Sequence, residues 1–410
     1  MGENNNEQEE QPSSLEQKYN QAVKHIDAYK AKANAAEVAF QGCQSSASYK
    51  LGHLLIHETK SFKDVLKLFS RIKAIRGTSK YSTGKTIKKP DKSYSNTEKA
   101  LDTTSSKVDK QYKNGISIIL PTYKGEKTIY RVLSSLAKQD MPNELFEIII
   151  IINGEKDDTK NIINAFSQEN TNLNIRIITL DESGASLARN KGIDASTYQY
   201  ILLIDDDDSV SSTYLSSMYN LASQDTIVLA QIINIDEDQI DSANLINMQI
   251  LKANTIIDNP FHSCPSVLTI NACKLIPTMY MKQIKFDTAL KSGEDIVYFS
   301  ELFSRFSFKY KIAKEAIYFR FMKQDSISRQ PLSFEFNVIG RILVISNVLH
   351  SMENTTETPV QNYLKQLINS QINFINAYLR EYPNEYQTVV EEIEKRELYY
   401  FPYERLYKNS

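Results

Sequence analysis

The ten residues Tyr200–Ser209, YILLIDDDDS, decide how the chain is read. Tyr200–Ile204 is apolar or aromatic, and four aspartates follow it without a break. An apolar run of this length that stops at turn-forming polar residues reads as a buried strand reaching a sheet edge. In open α/β sheets the carboxyl edge of the strands is where ligands bind. Adjacent carboxylates repel one another, so a fold that gathers four of them normally supplies a cation. Alternate side chains of an extended segment point the same way, which pairs Asp205 with Asp207. Hard oxygen donors of this kind suit Mg²⁺ or Mn²⁺, with phosphate oxygens completing the shell. A solvated acidic turn is the competing reading of the aspartates alone, and the units around them argue against it.

Upstream of that strand, apolar runs and helical patterns alternate. Ile116–Leu120 is an apolar strand stopped by Pro121, and Glu126–Gln139 reads as a helix. Phe146–Ile152 is an isoleucine-rich strand ending at Asn153-Gly154, and a helix follows over Thr159–Gln168. Ile175–Leu180 and Ala185–Ala195 form a third pair, and Gln199–Ile204 delivers the aspartates. Such alternation predicts an α/β fold with a mostly parallel central sheet, right-handed crossovers and helices on both faces. Neither G-x-G-x-x-G nor G-x-x-x-x-G-K-[ST] is present. Downstream, the sequence predicts strands at Thr226–Ile232, Cys264–Ile270 and Lys309–Phe321. Helices are expected over Ser242–Ile257, from Ser292-Gly293-Glu294-Asp295 onward, and across a C-terminal helical region, 331–410.

The chain has 410 residues, room for two or three domains, and its hydrophobic (41%) and charged (24%) fractions are those of a soluble globular protein. A net charge of −2 gives no ground for a nucleic-acid partner. Cys43, Cys264 and Cys273 are odd in number and form no C-x-x-C pair, which points to a reducing cytoplasm. The polar start MGENNNEQEEQ is no signal peptide, and no run approaches the roughly 18 apolar residues of a membrane span. Residues 1–14 are expected to be a disordered tail. The helical region 15–76 begins with a heptad seam at Leu15, Tyr19, Ala22, Ile26, Tyr29, Ala33, Ala36 and Phe40. That seam predicts either a coiled coil joining copies of the chain or docking onto the main domain. A basic linker, 77–114, follows, and residues 58–113 hold 15 Lys/Arg against 6 Asp/Glu. The linker reads as solvated. For the amphipathic helix before it, attraction to the anionic inner face of the plasma membrane is the alternative.

Residues 115 to about 330 resemble a family 2 glycosyltransferase of the GT-A fold. Six segments carry the resemblance, in the family's order: ISIILPTYKGEKTI (Ile116–Ile129), FEIIIIINGEKDDT (Phe146–Thr159), GASLARNKGI (Gly184–Ile193), YILLIDDDD (Tyr200–Asp208), SGEDIVYF (Ser292–Phe299) and YFRFMKQDSIS (Tyr318–Ser328). The resemblance implies transfer of a sugar from a nucleotide donor, a UDP-sugar first of all, to a glycan or lipid-linked acceptor, with inversion at the anomeric carbon. It implies Asp207 on the metal, with Asp205 near the ribose and the metal shell. Asp206 matches a variable position beside the nucleotide, and Asp208 reads as a helix N-cap. Asp295 matches the aspartate of the family's E-D pair, the general base, with Glu294 orienting it or the acceptor. Pro121, Thr122, Tyr123 and Glu126 match the loop around base and ribose. Arg189 and Lys191 match the basic pair beneath the nucleotide, and Arg320 and Ser328 the segment that closes on the diphosphate. Two departures stand out: Ile152, with Asn153 next, replaces the usual base-binding aspartate, and Lys323 stands nearest a commonly placed histidine. Bacterial surface polysaccharide synthesis (capsule, lipopolysaccharide or teichoic acid) is the setting implied.

Two rival readings are of other classes. LLIDDDDSV also fits the hhhhDxDx[ST] pattern of haloacid dehalogenase-type phosphatases, but there the motif sits on the first strand. A non-catalytic GT-A-like scaffold would have no need of an intact D-x-D and E-D pair.

Overall fold

Ile148–Ile152 places five β-branched residues in succession, which suits a strand covered on both faces. The strand that holds them, Phe146–Asn153, is buried along its whole length. The structure is a computed structural model that describes residues 112–236, 240–322, 331–398 and 400–407. The tail 1–14, the heptad seam and the rest of 15–76, the linker up to Gln111, Cys43, Lys323 and Ser328 lie outside the described residues. From Tyr112 onward the described residues belong to one compact unit.

The first seven elements are β1 (Lys113–Thr122), α1 (Ile129–Ala137), β2 (Phe146–Asn153), α2 (Thr159–Glu169), β3 (Ile175–Leu180), α3 (Ala185–Ala195) and β4 (Tyr198–Leu203). They follow the predicted alternation, and β1 starts at Lys113, inside the span read as linker. β1 lies between β2 and β4, and β3 flanks β2, all parallel. Next come β5 (Ser209–Val210), α4 (Tyr214–Tyr219), β6 (Thr226–Ile235), β7 (Ile240–Asp241), α5 (Leu245–Lys252), β8 (Ile256–Ile257), β9 (Lys274–Pro277), α6 (Glu294–Arg305) and β10 (Lys309–Phe321). The sheet runs in the order β3-β2-β1-β4-β9-β6-β10-β5, with β7 beside β6 and β8 beside β10. β9 is antiparallel to both β4 and β6, and β6 is parallel to β10. The long strands therefore share one direction, and their carboxyl ends form one edge.

One predicted strand is corrected. Cys264–Ile270 is not extended: short helices occupy Pro260–Ser263 and Pro265–Leu268, each with proline in its first turn. Proline cannot donate to a strand ladder but fits the first helical position, where its missing N–H costs nothing. The strand lies at Lys274–Pro277 instead, four residues that are too few for a periodic signal.

The C-terminal region is helical as expected. A π-turn over Glu335–Ile339 leads into α7 (Gly340–Glu353), followed by α8 (Thr358–Glu381) and α9 (Tyr386–Glu394). Tyr363 of α8 meets Phe261 and Phe303 at ring-centre separations of 5.2 and 6.3 Å. These helices back α6, which carries Glu294 and Asp295. No helix among the described residues is long and apolar enough to cross a membrane.

α3 packs on β1 and β2 through Gly192. A Cβ there would lie 2.4 Å from Ile119 Cγ2 and 2.8 Å from Ile151 Cδ1, both in the buried core. Gly192→Ala gains about 0.5–1 kcal/mol of helix propensity but overpacks the contact at a cost of about 1–3 kcal/mol. A net loss of stability in urea unfolding is expected; a gain would mean that α3 lifts off the sheet freely.

Candidate active site

The carboxyl ends of β1, β2 and β4 bring Thr122, Asn153 and Asp205 to the same edge. Asn153 is buried and engaged at both amide atoms: its Nδ2 donates to the Thr122 carbonyl (2.8 Å), and its Oδ1 accepts from the Gly184 N–H (2.9 Å). It thus locks the ends of β1 and β2 to the turn that opens α3. Pro121 precedes Thr122 at the end of β1, and Tyr123 projects from the edge with about half of its surface exposed (47%). Glu126 is exposed at the rim. Its backbone N–H donates to Asp157 Oδ2 (3.3 Å) and its carboxylate accepts from the Asp158 N–H (3.4 Å).

The four aspartates are held by groups from several parts of the chain. Asp205 accepts from Arg189 Nη2 (3.4 Å). Asp206 accepts from the Thr122 hydroxyl. The main-chain carbonyl of Asp207 accepts from Arg131 Nη2 (2.5 Å), and that guanidinium stacks 3.7 Å from the centre of the Phe321 ring. Asp208 is buried and bound to β10: the Tyr318 hydroxyl donates to Oδ2 (2.6 Å) and the Phe321 N–H to Oδ1 (2.9 Å). The N-cap reading of Asp208 is therefore corrected. The chain continues as strand β5, paired with β10, and leaves no helix start for Asp208 to cap. The same Tyr318 hydroxyl accepts from the Asp205 N–H (3.2 Å). Burial, then repulsion from Asp207 and Asp205, raises the Asp208 carboxyl well above the usual carboxylate range. Asp205 is raised too, by burial first, with Arg189 opposing the shift.

Arg189, itself buried, donates from Nη1 to Glu294 Oε1 (2.9 Å). One guanidinium thus spans the D-x-D and the E-D pair, which lie about ninety residues apart in sequence. Glu294 and Asp295 form the first turn of α6, entered through Gly293 at φ +83°. A Cβ at Gly293 would also lie 2.7 Å from Val344 Cγ2, so only glycine fits this turn. Asp295 Oδ1 accepts from the Ile296 N–H (2.8 Å). Its carboxyl is pushed up to about 6, by burial first and then by Glu294.

Not every predicted residue joins this cluster. Lys191 is exposed, and two residues of helix, roughly 200° of rotation, set it opposite the buried Arg189. Arg320 donates from Nε to Asn234 Oδ1 (3.0 Å) near the end of β10. Ser328 lies outside the described residues. Tyr318 and Arg131, which hold the aspartate loop, are not legible as site residues in the sequence. Tyr318 lies in one of the six matched segments, yet nothing local marks a tyrosine in an apolar strand as a loop anchor. Among the described residues no three or more His, Cys, Asp or Glu side chains are arranged as a metal cage. Two hard carboxylates at a half-exposed edge fit a Mg²⁺ or Mn²⁺ ion that draws its other ligands from phosphate and water.

The sequence profile described as Glycosyl transferase family 2 matches residues 117–284, which take in Thr122, Asn153, Arg189 and all four aspartates. The α/β domain belongs to glycosyl transferase family 2. That membership displaces the phosphatase reading of the aspartates. The chain is 27% identical over 214 residues to a poly(ribitol-phosphate) beta-glucosyltransferase of Bacillus spizizenii, covering 51% of this chain and 32% of the relative. It is 28% identical over 186 residues to the poly(ribitol-phosphate) beta-N-acetylglucosaminyltransferase TarS of Staphylococcus aureus, covering 45% and 30%. These matches span about a third of the relatives' length. The crystal structure of S. aureus TarS 1–349 in complex with UDP-GlcNAc superposes with a TM-score of 0.51 at 18% identity, over 68% of this chain and 89% of that one. The shared fold is GT-A, and the family 2 domain carries it on the mixed sheet described above.

Tyr318→Phe tests the anchoring of the aspartate loop. It leaves the buried Asp208 carboxyl and the Asp205 N–H without that partner, a loss of about 1–3 kcal/mol for a buried polar group left unsatisfied. Equilibrium unfolding should show this destabilisation at neutral pH; an unchanged midpoint would mean that β10 holds the loop without the hydroxyl.

Proposed function

We propose that the protein is a metal-dependent inverting glycosyltransferase that moves a sugar from a nucleotide-sugar donor to an acceptor hydroxyl during assembly of a bacterial surface glycan. The observation that carries this reading is the Arg189 bridge between Asp205 and Glu294. It joins in one cleft a group suited to a leaving diphosphate and a group suited to an incoming hydroxyl. Asp207 and Asp205 would hold Mn²⁺ or Mg²⁺, whose chemistry is to neutralise the charge that develops on a leaving nucleoside diphosphate. Tyr123, exposed at the edge beside Thr122, offers a ring face to the base. Asn153 is committed to Thr122 and Gly184, so it shapes the base pocket and leaves reading of the base to its neighbours.

An alcohol is a poor nucleophile near neutral pH, and Asp295 supplies the base that takes its proton. A carboxyl raised to about 6 is still ionised at pH 7, yet is a stronger base than an ordinary aspartate. Glu294, held by Arg189, keeps that carboxylate oriented. The names of the relatives favour a glucosyl or N-acetylglucosaminyl donor and a poly(polyol-phosphate) acceptor, with UDP-sugars the first donors to test. The proposed setting is the cytoplasmic side of the plasma membrane.

Asp207→Asn should abolish Mn²⁺-dependent binding of UDP or UDP-sugar in calorimetry while the protein stays folded. Parent-like binding would remove Asp207 from the metal site. Asp295→Asn should bind donor normally but transfer sugar 10²–10⁴-fold more slowly, the usual loss on removing a general base. Transfer within a few-fold of the parent would place the base elsewhere. The acidic limb of the pH profile follows from the same carboxyl. Below about pH 6 the proton occupies Asp295 and blocks the base, so kcat/KM should fall tenfold per unit as pH drops, and level off above pH 7. A profile flat down to pH 5 would contradict the assignment.

A further inference from the structure

Lys274, the first residue of β9, is buried, with 1% of its surface exposed. Its ammonium donates to three main-chain carbonyls, those of Val267 (2.8 Å), Ile270 and Ala272 (3.3 Å), and lies 4.1 Å from the centre of the Phe299 ring. Three carbonyl acceptors call for three N–H donors, which only the charged form of a lysine carries. No carboxylate pairs with it among the described residues. Phe299 stands four residues after Asp295 on α6, so the two share one face of that helix. The ammonium packed on Phe299 therefore lies on the Asp295 face of α6.

Carbonyls can be held by a neutral donor, and burying a charge is costly unless an anion offsets it. The groups that act on Lys274 through space are Cys273 and Asp295. Burial pushes the Cys273 thiol up to about 12, so it is uncharged near neutral pH and Asp295 is the anion that remains. Around Asp295 stand Glu294 beside it, Arg189 on α3, Lys274 on β9, Arg341 on α7 and Tyr363 on α8. Glu294 opposes its ionisation. Arg189 is bound to Asp205 and Glu294, Arg341 donates to the Phe336 carbonyl and to Gln371, and burial keeps the Tyr363 phenol neutral. Burial pulls Lys274 down to about 7, so it is charged across the range in which Asp295 titrates. We propose that Lys274 is a positioning residue for sugar transfer, a buried cation fixed by three carbonyls on the Asp295 face of α6 that keeps this carboxyl ionised. The inference rests on the reading of Asp295 as the base and adds the residue that tunes it. A purely mechanical clip, tying Val267–Ala272 to β9, makes the opposite prediction.

The test titrates Asp295 with and without the lysine. Aspartate carboxyl carbons are labelled with carbon-13, and the Asp295 signal is the one lost in Asp295→Asn. In Lys274→Met, and in Lys274→Gln, which keeps a donor for the carbonyls, the Asp295 carboxyl should titrate about one pH unit higher, the effect of losing a nearby opposite charge. The acidic limb of kcat/KM for transfer from a UDP-sugar should move with it. The variants then fall about fivefold below the parent at pH 6 and stay close to it at pH 8. If neither variant folds, the coupling is read from the other side, because it is reciprocal. In Asp295→Asn one lysine ε-carbon should then titrate about one pH unit lower than in the parent. An Asp295 titration and acidic limb that stay in place, or activity lost equally at pH 6 and pH 8, would make Lys274 a clip and overturn the proposal. Lysine titrations that Asp295→Asn leaves unmoved would do the same. Parent-like transfer by Asp295→Asn would remove the base reading instead, while the carboxyl titration still reports on Lys274, so the two failures are distinguishable.

Discussion

Four consecutive carboxylates cannot share one edge of a sheet unless each finds its own compensation. Here three of the side chains are held from three parts of the chain, Asp205 by Arg189 on α3, Asp206 by Thr122 at the end of β1 and Asp208 by Tyr318 with the Phe321 N–H on β10, while Arg131 on α1 holds the main-chain carbonyl of Asp207. Because those groups come from opposite ends of the domain, the loop is settled only when the sheet is complete. The antiparallel β9 joins the β4 half to the β6–β10 half and so lets Tyr318 reach Asp208.

The same economy of partners organises the site. Arg189 is buried and bound at both ends, so the positions of Asp205 and Glu294 are not independent. One planar fork holds the two carboxylates, from β4 and α6, at a fixed spacing. Gly293 sets the direction from which Glu294 and Asp295 enter, and Val344 of α7 leaves no room for a larger residue there. The C-terminal helices, which carry no motif, thus shape the turn of Glu294 and Asp295 from behind and bring Arg341 up to it.

Local sequence was most legible where period and composition agreed. The five isoleucines of β2 and the alternation of strands and helices from Ile116 to Ile204 need only neighbouring residues to be read. The reading failed where a short-range signal was weak or meant something else. Cys264–Ile270 looks apolar and strand-like, but Pro265 fits a helix start. Lys274–Pro277 is too short to show a period and forms a strand only because β4 and β6 flank it.

By itself the sequence determined the strand that carries the aspartates, the α/β order around it and the candidate chemistry of Asp205, Asp207, Glu294 and Asp295. These depend on apolar periodicity and residue type, which are local properties. Tertiary structure alone decided that Asp208 is a buried anchor, that Asn153 is spent on Thr122 and Gly184, that Lys191 faces away from Arg189, and that burial lifts Asp295 to about 6. Each of these turns on which group approaches from a distant part of the chain and on how much water it displaces. Neither the hydrogen-bond partner nor the desolvation of a side chain is encoded in its immediate neighbours.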